Sequence, residues 1–224
     1  MTEFGGDKKV GTSILGKFEK SFVEKYVDRI PPNIETYHLT MMTLVWSAGA
    51  VLFGYLSSLH IFWIWGLSLM LVFQYLTDLF DGAIGRHRDT GLVKWGFYMD
   101  HFLDFIFSCS LVIAYALMAP EGMDLFFFFL LVLSGGFLVN SYLLFASTNE
   151  FRIYYYGLGP TEIRLGYIIM NTVIFIYGVE IFRVWVPIIL MLNVITLSYL
   201  VYMSQKTLWT IDMENKDATS ARAE

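Results

Sequence analysis

Long apolar stretches separated by short polar breaks dominate the sequence between residues 39 and 205. A helix needs about 20 mostly apolar residues to cross a bilayer. Because lipid offers backbone groups no hydrogen-bond partner, such stretches form helices. The pattern predicts an all-α integral membrane protein with six spans, at 39–58, 61–86, 92–118, 123–148, 161–180 and 184–205.

The segment before the first span follows a different pattern. Between residues 14 and 30, apolar side chains recur at steps of three and four, and charged ones such as Lys17 and Glu24 lie opposite. This periodicity predicts an amphipathic helix. Because a membrane span follows at once, we expect the helix to lie in the membrane interface; an ordinary surface helix is the alternative.

Three parts follow from these patterns. We expect residues 1–38 to form a tail and the interfacial helix, residues 39–205 to form the membrane domain, and residues 206–224 to form a C-terminal tail. The last part is polar and lacks periodicity, so we expect it to be irregular. Composition agrees with a membrane protein, since 56% of the residues are hydrophobic and 16% are charged. No nucleic-acid partner is expected.

Lysine and arginine are unevenly distributed between the connections. They occur in the N-terminal segment, after the second and fourth spans and in the tail, but are absent from the loops near His60 and Pro120. The loop near Glu180 has only Arg183. Because basic residues favour the cytoplasmic side, we expect both termini and the loop between spans two and three to be cytoplasmic.

Four aspartates interrupt the apolar pattern at the facing ends of spans two and three. Asp78 and Asp81 are three residues apart, and Asp100 and Asp104 are four apart, so each pair lines one helix face. Carboxylates converging from two helices suit a hard divalent cation. Ionisable residues at membrane depth usually mark a functional site. Salt bridges or surface loops are the alternative interpretation.

The spacing around these aspartates resembles a known signature. It runs, in order, Asp78, Asp81, Gly82, Gly85 and Arg86 and then, after nine intervening residues, Gly96, Asp100 and Asp104. This order is similar to the motif of the CDP-alcohol phosphatidyltransferase family. One position departs from it, because Gly85 stands where the family usually has alanine, and this small residue still leaves room for a nucleotide.

The resemblance implies a transferase of substituted phosphate groups in phospholipid synthesis. An acceptor hydroxyl attacks a CDP-linked donor, CMP leaves, and one of the two substrates is a lipid. The resemblance also implies a homodimer and two Mg²⁺ ions per site, with Mn²⁺ as an alternative.

The resemblance also assigns roles within the motif. The metal ligands would be the four aspartates, and Asp104 would also be the candidate base, unless the metal itself acidifies the hydroxyl. The nucleotide would contact Asp78, Asp81, Gly82, Gly85, Arg86 and Gly96. For Arg86 the alternative is an arginine that extends to the membrane interface.

Two short features favour one branch of the family. Asp100 followed by His101, and the segment Gly159-Pro160-Thr161-Glu162, are similar to the choline- and ethanolamine-phosphotransferase branch, whose acceptor is diacylglycerol. In the alternative, CDP-diacylglycerol donates a phosphatidyl group to serine, inositol phosphate or glycerol phosphate. A structural role for His101 is as well supported as a functional one.

Several other polar residues remain open. Arg152, Glu162 and Arg164 lie near the cytoplasmic ends of spans four and five, where they would shape a substrate pocket or only set the topology. Thr36 and Thr40 are interpreted as helix caps, with nucleotide contact as the alternative. A cation transporter would also use intramembrane aspartates, but it would not explain the ordered glycines.

Overall fold

The structure is a computed structural model that describes residues 16–148 and 160–223. In these ranges it consists of helices joined by short connections and contains no strand. Three short 3-10 turns, Val27–Arg29, Ile61–Trp63 and Val179–Ile181, accompany the α-helices. The α-helices are α1 (Gly16–Tyr26), α2 (Thr36–Leu59), α3 (Ile64–His87), α4 (Val93–Met118), α5 (Asp124–Thr148), α6 (Pro160–Tyr177) and α7 (Phe182–Ala223).

Five segments in the described part of the chain are long and apolar enough to cross a membrane. Their bounds are Thr36–Leu59, Ile61–His87, Val93–Met118, Asp124–Thr148 and Val179–Asp217. They correspond to predicted spans one to four and six. The fifth predicted span coincides with α6, an 18-residue helix that carries Glu162, Arg164 and Asn171 and is not among the five. The six-span count therefore stays a prediction.

Small side chains let α2 pack closely against α3 and α4. The buried positions of α2 recur at steps of three and four, and all are small: Thr36, Thr40, Thr43, Ser47, Ala50, Gly54 and Ser57. A Cβ atom on Gly54 would lie 2.5 Å from Ala114 Cα, so this glycine permits direct contact between the backbones of α2 and α4. Close approach through small residues is how helices associate in membranes.

Polar side chains join α6 to this group. Asn171, which is fully buried, accepts a hydrogen bond from the Tyr115 hydroxyl at 2.7 Å and donates to Ser68 Oγ at 2.9 Å. These bonds link α6 to α4 and α3 and satisfy polar groups that water would otherwise have to reach. They hold α6 beside the half of α3 that leads to the aspartates.

The expectation of an irregular tail after residue 205 is wrong. Helix α7 continues without interruption to Ala223. Residues 206–223 contain neither glycine nor proline and are rich in good helix formers. Most of the side chains described after residue 205 are exposed, and an exposed helix needs no apolar stripe.

A helix, α1 (Gly16–Tyr26), lies within the N-terminal segment, and the 3-10 turn Val27–Arg29 follows it before the two prolines. That it is the expected amphipathic helix stays a prediction. Val23, Val27 and Ile30 pack against Ala83 and Ile84 of α3. This packing fixes the segment against the end of α3. Its location in a membrane interface stays a prediction.

Arg88, directly after α3, fastens the same segment. Its guanidinium donates hydrogen bonds to the carbonyl oxygens of Ile30 at 3.0 Å and Ile34 at 2.6 Å. Those carbonyls belong to the loop that enters α2, so the N-terminal segment and the end of α3 form one packed unit.

Candidate active site

Three carboxylates converge between α3 and α4. Asp78 and Asp81 on α3 and Asp100 on α4 each present an oxygen atom, and these atoms lie within 4.8 Å of one another. Asp81 is buried, and the other two are partly exposed. Such closely spaced negative charges repel unless a cation compensates them. An all-oxygen set fits Mg²⁺ or a similar hard ion.

A tight reversal between α3 and α4 brings the two pairs together. Only five residues separate His87 from Val93, and within them Asp89 (φ 49°) and Gly91 (φ 68°) adopt left-handed backbone conformations. Glycine and aspartate tolerate this region better than most residues. The two helices therefore run antiparallel, and the end of α3 faces the start of α4.

Asp81 is held by two donors. Thr40 Oγ1 on α2 donates to Asp81 Oδ2 at 3.1 Å, and the Gly82 backbone N–H donates to Asp81 Oδ1. The interpretation of Thr40 as a helix cap is wrong, because Glu35 occupies the N-cap position of α2. Thr40 instead fixes the orientation of a candidate metal ligand, which is the usual work of residues behind a metal site.

Asp104 lies beside the three-carboxylate cluster and is not one of its members. Its Oδ1 atom accepts a hydrogen bond from Gln74 Nε2 at 2.9 Å. Gln74 is only 1% exposed, and its Oε1 atom has no hydrogen-bond partner within the described ranges. The amide therefore orients one oxygen of Asp104, whose side chain is 40% exposed and accessible to a substrate.

Arg164 supplies a positive charge to the cluster. Its Nη2 atom lies 2.8 Å from Asp78 Oδ2 and 3.8 Å from Asp104 Oδ1. The guanidinium also lies over the ring of Tyr75, with Cζ 5.9 Å from the ring centroid. The structure thus brings α6 to the site through Arg164, where planar hydrogen-bond donors can bind phosphate oxygens.

The motif glycines differ in their surroundings. A Cβ atom on Gly85 would lie 3.1 Å from Thr36 Oγ1, and one on Gly82 would lie 3.3 Å from Arg86 Nη1. At Gly96, the described residues place no atom within 4 Å of such a Cβ. Arg86 is exposed in the last turn of α3. Gly96 therefore leaves the surface at the start of α4 open.

His101 lies beside Asp100 and borders a cavity. Its Nδ1 atom lies 2.7 Å from the Phe97 carbonyl oxygen and 3.9 Å from Asp100 Oδ2. The ring borders a cavity of about 380 Å³ between α4 and α5. This cavity is lined mainly by apolar and aromatic side chains, among them Phe102, Phe105 and Tyr142.

The remaining predicted residues lie elsewhere. Glu162 is partly buried in the first turn of α6, two residues before Arg164. Arg152 and Gly159 lie outside the described residues. The structure therefore joins Arg164 to the aspartates and leaves the prediction for Arg152 as it stands.

Sequence reasoning missed three supporting residues. Gln74 was detectable, because an amide inside an apolar stretch, four residues before Asp78, lies on the same helix face. Glu19 and Tyr75 carried no such signal. Their hydrogen bond, at 3.2 Å, joins residues 56 positions apart and depends on where α1 packs.

Comparison with known proteins agrees with this geometry. The family model described as CDP-alcohol phosphatidyltransferase matches residues 36–200, which include α2, α3, α4 and α6 and all four aspartates. No curated protein and no solved structure matches the chain. Since the match covers well over half of the 224 residues, the chain belongs to the CDP-alcohol phosphatidyltransferase family, a family of metal-dependent transferases of substituted phosphate groups.

Proposed function

We propose that this protein transfers a phosphocholine- or phosphoethanolamine-type headgroup from a CDP-alcohol to diacylglycerol and releases CMP. The observation that carries the proposal is the cluster of Asp78, Asp81 and Asp100 at the family motif. In the reaction, the acceptor oxygen forms a bond to the donor phosphorus nearest the alcohol. The bond from that phosphorus to the bridging oxygen breaks, and CMP takes the electron pair.

The residues fit a divalent metal site. Asp78, Asp81 and Asp100 would hold one Mg²⁺ ion, and we propose that Asp104 completes a site for a second, with Mn²⁺ as an alternative. Bound divalent ions neutralise the diphosphate and stabilise the leaving oxygen. Thr40 and Gln74 support this assignment, because each fixes an oxygen of one of these carboxylates.

Asp104 is the proposed acceptor of the hydroxyl proton. Its side chain is 40% exposed, compared with 23% for Asp78, and Gln74 fixes the orientation of its carboxylate. Arg164 and Arg86 would bind phosphate oxygens, and Gly82, Gly85 and Gly96 would give the nucleotide room. Phosphoryl transfer depends mainly on such positioning and charge compensation.

The acceptor assignment is supported by the surroundings of His101. The apolar cavity beside this residue is of a size that accommodates part of an acyl chain. Glu162 and Arg152 complete the proposed substrate pocket. The second candidate is phosphatidyl transfer from CDP-diacylglycerol to a small alcohol phosphate, which the proximity of the Arg164 guanidinium to the site favours.

The membrane arrangement forms part of the proposal. Six spans, with α6 as the fifth, would place both termini and the aspartates on the cytoplasmic side, where soluble CDP-alcohols are available. Helix α1 would lie in the interface of the same leaflet. We also propose a homodimer, as in the family.

The test is CMP release by the purified protein in detergent with Mg²⁺ and one donor at a time. We expect CMP from CDP-choline or CDP-ethanolamine only when diacylglycerol is present, with Asp100→Asn as the blank. Asp212→Asn, on the exposed end of α7, is the matched control and should stay active. If CDP-diacylglycerol is the only donor that yields CMP, diacylglycerol is not the acceptor and the second candidate function replaces the first. If no CDP donor yields CMP, the enzymatic proposal is overturned.

A further inference from the structure

Glu19 on α1 joins two other helices through a single carboxylate oxygen. Its Oε1 atom accepts a hydrogen bond from the Tyr75 hydroxyl on α3 at 3.2 Å and another from Thr161 Oγ1 on α6. These residues are 56 and 142 positions away in the chain. A carboxylate that accepts two hydrogen bonds across three helices holds them more strongly than neutral pairs would.

Both partners of Glu19 lie next to the aspartate site. Tyr75 is three residues before Asp78, and Thr161 is three residues before Arg164, so each pair shares a helix face. The Tyr75 ring also lies under the Arg164 guanidinium, with Cζ 5.9 Å from the centroid. Glu19 is therefore linked to both ends of the Arg164–Asp78 ion pair.

Other charges on α1 have no such role. Glu24, five residues later, pairs with Lys20 at 4.0 Å, and both side chains are more than half exposed. Exposed ion pairs of this kind contribute little to the stability of the folded protein. Meanwhile Phe22 packs against Phe80 of α3, with ring centroids 5.9 Å apart, so the helix is seated on α3 and brings Glu19 to a fixed place.

We propose that Glu19 is a positioning residue for Arg164, and that α1 is therefore part of the active site. The inference rests on the proposed function, in which Arg164 binds a phosphate oxygen. A guanidinium beside Asp78 and Asp104 has two competing carboxylate partners. The Tyr75 ring, held by Glu19, lies against the guanidinium, and the bond from Thr161 to Glu19 holds the turn of α6 that carries Arg164. Together they favour one orientation of the guanidinium, and small errors of orientation are costly in catalysis.

Three variants of α1 test the role. Glu19→Ala removes both accepted hydrogen bonds and should lower kcat about tenfold with little change in the KM for the CDP donor. Glu19→Gln keeps an acceptor oxygen and should restore most of the rate. Glu24→Ala removes the same charge from the same helix and should behave as wild type. Equal rates for Glu19→Ala and Glu24→Ala would overturn the proposal.

A double substitution separates positioning from general stabilisation. If Glu19 acts through the guanidinium, Glu19→Ala should have no further effect on kcat in an Arg164→Gln background. A second tenfold loss in that background would show a role independent of Arg164 and would refute the proposal.

Cross-linking tests the contact without reference to activity. In a Cys109→Ser background, the pair Glu19→Cys and Thr161→Cys should react with a short bifunctional thiosulfonate in lipid nanodiscs, whereas Glu24→Cys and Thr161→Cys should not. Absence of the first cross-link would refute the proposed contact. A wild type that releases no CMP from any donor, together with an intact cross-link, would refute the proposed function and leave the contact established.

Discussion

The helices that carry and brace the aspartates are packed by different means from α5 and α7. In the most apolar 18-residue stretch of α4, 39% is buried within the chain. The corresponding shares are 11% for α5 and 6% for Val179–Asp217. Small residues bring α2 into contact with α3 and α4, but α5 and α7 present large apolar side chains outward. Close packing is therefore found where the carboxylates converge. The outward faces of α5 and α7 are available to contact lipid or another chain.

The largest expected effect comes from the carboxylates themselves. Asp81→Asn should reduce CMP release by at least about a thousandfold, because the neutral amide cannot compensate a metal ion as a carboxylate does. The protein should remain folded, since the amide oxygen can still accept from the Gly82 N–H. The amide nitrogen can donate to Thr40 Oγ1, whose hydroxyl then donates to the Thr36 carbonyl oxygen, 3.1 Å away. Unchanged thermal unfolding in detergent, measured beside the activity, would verify this separation.

Wild-type activity in Asp81→Asn would show that the buried carboxylate is structural. Asp212→Asn, on the exposed part of α7, supplies the comparison for a simple change of charge.

Two glycines, one on α2 and one on α5, test this difference in packing. Gly54→Leu would force a side chain into Ala114, whose Cα lies 2.5 Å from the position of a Cβ. It should lower the free energy of unfolding by about 1–3 kcal/mol or more and reduce the yield of folded protein. Gly135→Leu on α5, where no described atom lies within 4 Å of a Cβ, should be tolerated.

Thermal unfolding of both variants in the same detergent is the measurement. Equal destabilisation would mean that α5 is packed as closely as α2 and would remove the contrast between the two groups of helices.

The attachment of α6 to α3 and α4 can be weakened at Asn171. Asn171→Leu leaves the Tyr115 hydroxyl and Ser68 Oγ without their partner. Polar contacts between membrane helices are worth roughly 1 kcal/mol, so the unfolding midpoint should fall by a few degrees. Activity should fall with it, because α6 carries Arg164. Tyr115→Phe should give the smaller loss; a reversed order would contradict this account of the cluster.

The smallest effect is expected at the end of α7. Removal of residues 207–224 takes away exposed helix that contacts none of the site residues described, so kcat and KM should change by less than about twofold, as for surface changes generally. Steady-state kinetics on the shortened chain, with full-length protein prepared in parallel, is the check. A large loss would assign the outer part of α7 a role in assembly.

The sequence predicted features that depend on local pattern. Apolar runs bounded by polar breaks located α2 to α5. The spacing of Asp78, Asp81 and Asp100 predicted that these carboxylates lie together, because helix geometry converts spacing into a shared face. The helical end of α7 was missed because an exposed helix needs no apolar periodicity.

Contacts between distant segments could not be read from the sequence. The bonds from Glu19 to Tyr75 and Thr161 require that α1, α3 and α6 meet at one point. Nothing in the local pattern of any one helix encodes that meeting. Arg164 was predicted to lie near the cytoplasmic end of span five, where it would shape a substrate pocket or only set the topology. Its ion pair with Asp78 emerges only from the packing of α6 against α3.

The wide separation of Arg164 from the aspartates in the chain has a consequence for synthesis. Asp104 leaves the ribosome 60 residues before Arg164, which at about 5–20 residues per second corresponds to roughly 3–12 s. During that interval the hairpin of α3 and α4 must enter the membrane with its carboxylates lacking their basic partner. Water, a metal ion or the insertion machinery has to accommodate those charges until α6 arrives, so the order of the helices in the gene sets the period in which the nascent chain is most vulnerable.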